Sequence, residues 1–133
     1  MDQPKIKILL VDDEDFVREL LARYLKGDTR LQIDEASDGF TAVSKTIMKS
    51  YHLAILDVAM PHFNGIEAIK NMQANCPELK FIIVTGLGNK EILEDCRRLG
   101  CQVILQKPVE KETLLQAVYG SIKDELETMS NAA

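Results

Sequence analysis

Leu53-Ala54-Ile55-Leu56-Asp57-Val58-Ala59-Met60-Pro61 is an apolar run interrupted by one carboxylate. A run of this kind between polar segments reads as a strand buried on both faces, as at the centre of a parallel sheet. Asp57 then stands where the strand emerges, held on rigid scaffold. Ligands of open parallel sheets bind beyond that edge, so the acid is a site candidate. Its plainer reading is a cap on the turn into the next helix. Pro61 ends regular pairing and Gly65 opens the following element.

Reading outward from this strand, the same arrangement recurs. Upstream, Ile6 to Val11 is mostly apolar and β-branched, and it ends on Asp12-Asp13-Glu14-Asp15. Phe16, Val17, Leu20, Leu21, Tyr24 and Leu25 follow at helical spacing, with Gly27 just past the end. Leu31 and Ile33 alternate with polar neighbours, which predicts a short edge strand. Asp38-Gly39 is read as a turn, and Phe40, Val43 and Ile47 as the apolar face of a second helix. Downstream, Ile66, Ile69 and Met72 mark a third helix over Gly65 to Asn75, which Pro77 prevents from continuing. Phe81 to Val84 forms a fourth strand ending at Thr85-Gly86, and Glu91 to Leu99 a helix stopped by Gly100. Val103 to Leu105 is the fifth strand, ending at Gln106-Lys107-Pro108. One final helix from near Glu110 carries Leu114, Leu115, Val118, Ile122, Leu126 and Met129 along a stripe. Strands alternating with helices through short connections predict an α/β fold, a doubly wound parallel sheet with helices on both faces.

The 133 residues suit one domain with a real core, and the net charge of -5 argues against simple electrostatic attraction to nucleic acid or to an anionic membrane. No apolar run approaches the roughly 18 residues that span a bilayer, and Met1 to Lys7 is too polar for a signal peptide, so the expected compartment is the cytoplasm. Cys76, Cys96 and Cys101 lack metal-ligand spacing and are expected to be reduced, partly buried thiols.

Function emerges from what stands at the carboxyl ends of the strands: Asp12 and Asp13, Asp57, Thr85 and Lys107. All five are expected on one sheet edge. Carboxylates gathered there repel one another unless a cation intervenes, and hard oxygen ligands with room for water suit Mg²⁺. Cation, ammonium and hydroxyl together describe a pocket for a tetrahedral anion, where an Asp nucleophile would carry out phosphoryl transfer through an aspartyl phosphate.

These motifs, Val11-Asp12-Asp13, Asp57-Val58-Ala59-Met60-Pro61 to Gly65, Thr85-Gly86 and Lys107-Pro108, resemble the CheY-like receiver domain of two-component response regulators, over about residues 5–122. The resemblance implies a flavodoxin-like (βα)5 fold with strand order 2-1-3-4-5. It implies that Asp57 accepts a phosphoryl group from a histidine kinase or phosphotransfer protein. Mg²⁺ would be bound by Asp13 directly, by Asp12 through water, by Asp57, and by the carbonyl of Ala59. Lys107, preceding a cis Pro108, would pair with the acid and then with phosphate. Thr85 would turn to the phosphate and signal to the face formed by helix four, strand five and helix five. Ile104 stands where the family commonly has Tyr or Phe, so no swinging ring is available for that signal. Gln106 is more polar than usual before the Lys.

Two alternatives are weighed. A haloacid-dehalogenase-type phosphatase would use Asp13 as nucleophile in Asp13-Glu14-Asp15, but only Glu110 and Glu112 follow Lys107 to complete its metal site. A pseudo-receiver would keep the fold for protein interaction without phosphorylation. The receiver is assigned to residues 1–123. Residues 124–133 read as the extended end of the last helix and a polar tail, whose Leu126 and Met129 have no surface of their own domain to cover. That seam suggests a homodimer or a linker to an output domain.

Overall fold

Side chains alternate across each strand, and in the runs Ile6–Val11, Leu53–Asp57 and Lys80–Thr85 both sets are mostly apolar, so the sheet needs cover on both faces. The computed structural model describes residues 4–60, 64–86 and 90–131; Pro61 lies outside them. Strands β1 (Ile6–Val11), β2 (Leu31–Ala36), β3 (Leu53–Asp57), β4 (Lys80–Thr85) and β5 (Val103–Gln106) form one parallel sheet in the order β2-β1-β3-β4-β5. Among the described residues, six helices alternate with and follow them: α1 (Asp15–Leu25), α2 (Gly39–Met48), α3 (Gly65–Asn75), α4 (Lys90–Arg98), α5 (Lys111–Ser121) and α6 (Lys123–Asn131).

One face of the sheet, through Leu9, Val11, Ala54, Leu56 and Ile83, packs against α2, α3 and α4. The other, through Ile8, Leu10, Leu53, Ile55, Ile82 and Val84, packs against α1 and α5. Central strand β3 is buried at every position, whereas the edge strands β2 and β5 are mostly half-buried. Register aligns the strand ends: Val11 pairs with Leu56, Asp57 with Val84, and Thr85 with Gln106. The residues that follow β1, β3, β4 and β5 therefore leave the sheet side by side.

Local chemistry sets the helix ends. Asp38 is the N-cap of α2, its carboxylate accepting from the Thr41 N–H, and Asn64 caps α3 in the same way. Helix α4 closes in a left-handed turn at Gly100 (φ 93), where the Gly100 N–H donates to the Arg97 carbonyl and the Cys101 N–H to the Cys96 carbonyl. That motif buries Cys96 against Cys101, and burial pushes the Cys101 thiol up to about 12. Cys76 is likewise buried and free.

Two expectations are corrected. In α2, Phe40 and Ile47 are exposed (84% and 68%), and the buried face is Gly39, Ala42 and Thr46 with Val43 beside them. A ten-residue helix fits either stripe by periodicity alone; contact with α3 selects the smaller residues. The last helix is not continuous. It breaks at Ile122 (φ -106, ψ 18), and beyond the break Leu126 and Met129 of α6 pack on the cluster containing Ile6 and Ile122. Lys80 holds the corner: its Nζ donates to the Ser121 carbonyl at 2.8 Å and to Glu125 at 3.2 Å. The apolar seam of the tail thus covers its own domain. Since both side chains are half-buried, Leu126→Ala with Met129→Ala is expected to cost about 2 kcal/mol in urea denaturation; an unchanged midpoint would mean α6 is not docked in solution.

Candidate functional site

Asp12 follows β1 and Asp57 ends β3, and both are buried (3% and 4% exposed) where a carboxylate must be compensated. Asp57 Oδ1 accepts from the Ala59 N–H at 2.8 Å, and Asp12 Oδ1 accepts from the Glu14 N–H at 2.9 Å. Each acid thus shapes the turn that follows it as well as facing the cleft, while the cap of α3 itself is Asn64 rather than Asp57. The second oxygens share one cation. Lys107 Nζ lies 2.8 Å from Asp57 Oδ2, 3.0 Å from Asp12 Oδ2 and 3.2 Å from Glu14 Oε1. Its own backbone is fixed by the Lys107 N–H donating to the Thr85 carbonyl at 2.8 Å; the bond to Pro108 is cis. Arg18 braces the other side, donating to the Asp12 carbonyl at 2.6 Å, to Asp15 at 2.6 Å and to Glu35 at 3.1 Å.

Ligand atoms of Asp12, Asp13, Glu14 and Asp57 all lie within 4.8 Å of one another. Burial raises the Asp12 carboxyl above its ordinary value, opposed by the Glu14 N–H and Lys107 and assisted by the Asp57 charge. Burial also acts against the Lys107 ammonium, but its bonds to Asp57 and Asp12 outweigh that and hold it above the ordinary lysine range. The two upward shifts have different causes: burial for Asp12, and the neighbouring carboxylates for Lys107. Of the residues singled out in the sequence, Asp12, Asp13, Asp57 and Lys107 converge here. Ala59 contributes its N–H to Asp57 and is exposed beside it. Thr85 is buried at the end of β4, tied to Lys107 through its carbonyl. Glu14 was visible within the acidic run without a part assigned to it; the turn after Asp12 brings it in. Asp15, its neighbour, is turned away onto Arg18 and stays exposed.

A model of the response regulator receiver domain matches residues 8–119. The chain belongs to that family. The chemotaxis protein CheY of Listeria monocytogenes is 28% identical over 118 residues, covering 89% of this chain and 99% of that protein. The Bacillus subtilis transcriptional regulatory protein YesN is 31% identical over 114 residues, which is 84% of this chain and 31% of that longer protein. Among solved structures, a CheY-like receiver domain protein from Methanospirillum hungatei superposes with a TM-score of 0.82 at 22% identity, covering 97% of this chain and 99% of that one. The strand order implied by the sequence resemblance is the one found.

This receiver domain is thus a module of two-component signalling. Receivers generally bind Mg²⁺ at an acidic pocket, and the donor set here fits such an ion. All donors are hard oxygens, Asp13 and Glu14 are open to water, and four carboxylates face one ammonium. The phosphatase alternative loses its Asp-x-Asp pair, because Asp15 is held by Arg18 outside the cluster. Ile104 is half-buried opposite Ile83 and packs into the α2, α3 and α4 side of the core. Gln106 is exposed, as an edge strand allows. Among the described residues no helix is long and apolar enough to cross a membrane.

Proposed function

We propose that this receiver is a phosphoacceptor in which Asp57 takes a phosphoryl group from the phosphohistidine of a histidine kinase or phosphotransfer protein. The observation that carries the reading is Lys107 Nζ at 2.8 Å from Asp57 Oδ2 within a cluster of four carboxylates. An Asp57 oxygen attacks phosphorus, the P–N bond of the donor breaks, and the imidazole leaves with its electron pair, which a proton from solvent then takes up. The product is an acyl phosphate. Asp13, Asp57 and the Ala59 carbonyl would hold Mg²⁺, with Asp12 acting through water, and the bound ion would supply the positive charge that the phosphoryl oxygens need. Lys107 exchanges a carboxylate oxygen for a phosphate oxygen without leaving its place. Thr85, tied to Lys107 by a backbone bond, hydrogen-bonds the phosphate and passes the change to the α4, β5 and α5 face. With Ile104 in the usual ring position, that message travels by aliphatic repacking. It is read by an output domain or a second copy of the chain.

Incubation with acetyl phosphate and Mg²⁺, followed by mass-spectrometric mapping, tests the reading. A phosphoryl group on Asp57 supports it, and one on Asp13 transfers the assignment to the phosphatase class. Asp13→Ala removes a ligand carboxylate, so Mg²⁺ affinity measured by calorimetry is expected to fall at least tenfold with the fold intact. An unchanged titration would remove Asp13 from the metal site.

A further inference from the structure

We infer that Glu14 is a positioning residue of the acidic pocket, which holds Lys107 through a third contact and supplies the surplus charge that sets the pocket's divalent-cation affinity. The inference rests on the phosphoacceptor reading of Asp57. An ammonium has three N–H donors, and Lys107 directs them at three carboxylates, Asp57 at 2.8 Å, Asp12 at 3.0 Å and Glu14 at 3.2 Å. The first two side chains are 5% exposed, whereas that of Glu14 is 61% exposed. Only Glu14 can let go of Lys107 without stranding a buried charge.

Its presence at the mouth is built rather than incidental. The Glu14 N–H is held by Asp12 Oδ1 at 2.9 Å, and its carbonyl accepts from the Arg18 N–H at 2.9 Å as α1 begins. Glu14 is the N-cap residue of α1, yet its side chain makes no capping hydrogen bond. With both backbone groups pinned, the carboxylate is delivered to Lys107 instead. A divalent cation and Lys107 together match three of the four carboxylates, and the fourth charge stands where an anionic phosphodonor must enter. Glu14 therefore draws the cation in and opposes the phosphodonor, and it releases Lys107 when a phosphate oxygen arrives.

Glu14→Gln keeps the shape and removes the charge. Mg²⁺ dissociation constants from calorimetry are expected to rise about three- to tenfold, the effect of one partly screened charge several ångströms from a divalent ion. Labelling by acetyl phosphate at saturating Mg²⁺ is expected to be several-fold faster. Glu14→Asp should restore most of the Mg²⁺ affinity. Glu19→Gln, which removes an exposed acid of α1 outside the cluster, should leave it within twofold of the parent. Wild-type affinity in Glu14→Gln, or equal weakening in Glu19→Gln, would overturn the inference. So would a loss as large as that in Asp13→Ala, since Glu14 would then be a direct ligand. If the unaltered protein takes no phosphoryl group at all, the acceptor reading fails, while the Mg²⁺ affinities still decide the part played by Glu14.

Discussion

Asp57→Asn is expected to reduce phosphoryl labelling by acetyl phosphate to background, with the domain still folded. The amide has no nucleophilic oxygen anion, yet it retains an Oδ1 that accepts the Ala59 N–H, the bond that shapes the turn after β3. Loss of one carboxylate also lowers repulsion in a pocket where Asp12 and Asp57 are both buried. Stability in denaturant should therefore be equal to that of the parent or higher. Intact-mass spectrometry provides the check: one phosphoryl group on the parent and none on the variant. Label that survives on the variant would show that Asp57 is not the acceptor.

Lys107→Ala is expected to destabilise the domain by about 2–4 kcal/mol in Mg²⁺-free buffer at pH 7, because it leaves two buried carboxylates without their counter-ion. The pH dependence has a definite sign. Burial already raises Asp12 above its ordinary value, and removing Lys107 takes away one of the influences that lower it. A carboxyl whose folded-state value is raised costs stability in full above that value; the cost shrinks as pH falls below it and is gone below the unfolded-state value. The loss in Lys107→Ala should thus shrink as pH is lowered from 7 towards 5, and Mg²⁺ at pH 7 should restore part of it. Urea titrations at the two pH values measure this. A loss that is independent of both pH and Mg²⁺ would mean that Lys107 acts through packing of its aliphatic stem.

Strand positions were legible because burial on both faces leaves a direct mark on composition: β1, β3 and β4 are runs in which every second residue faces a different set of helices, and both sets must be apolar. Helix α3 was legible to its exact bounds because Gly65 and Pro77 bracket it in local chemistry. The site was legible for a related reason. In a parallel sheet every strand end points the same way, so acids, Thr and Lys at successive ends must share one edge wherever the helices lie.

The sequence by itself therefore determined the parallel sheet, the gathering of Asp12, Asp13, Asp57, Thr85 and Lys107, and the family resemblance. Tertiary structure alone decided which stripe of α2 faces inward, since Phe40 and Val43 fit the same period and only the fit against α3 separates them. It decided the end of the chain as well. An unbroken 3.6-residue period carries no record of a hinge at Ile122, because Lys80, which anchors that turn to Ser121 and Glu125, comes from a strand 41 and 45 residues away. It also brought Glu14 to Lys107 across 93 residues. Side-chain direction after a tight turn depends on which distant charge is waiting, and a linear sequence states the charges without their distances.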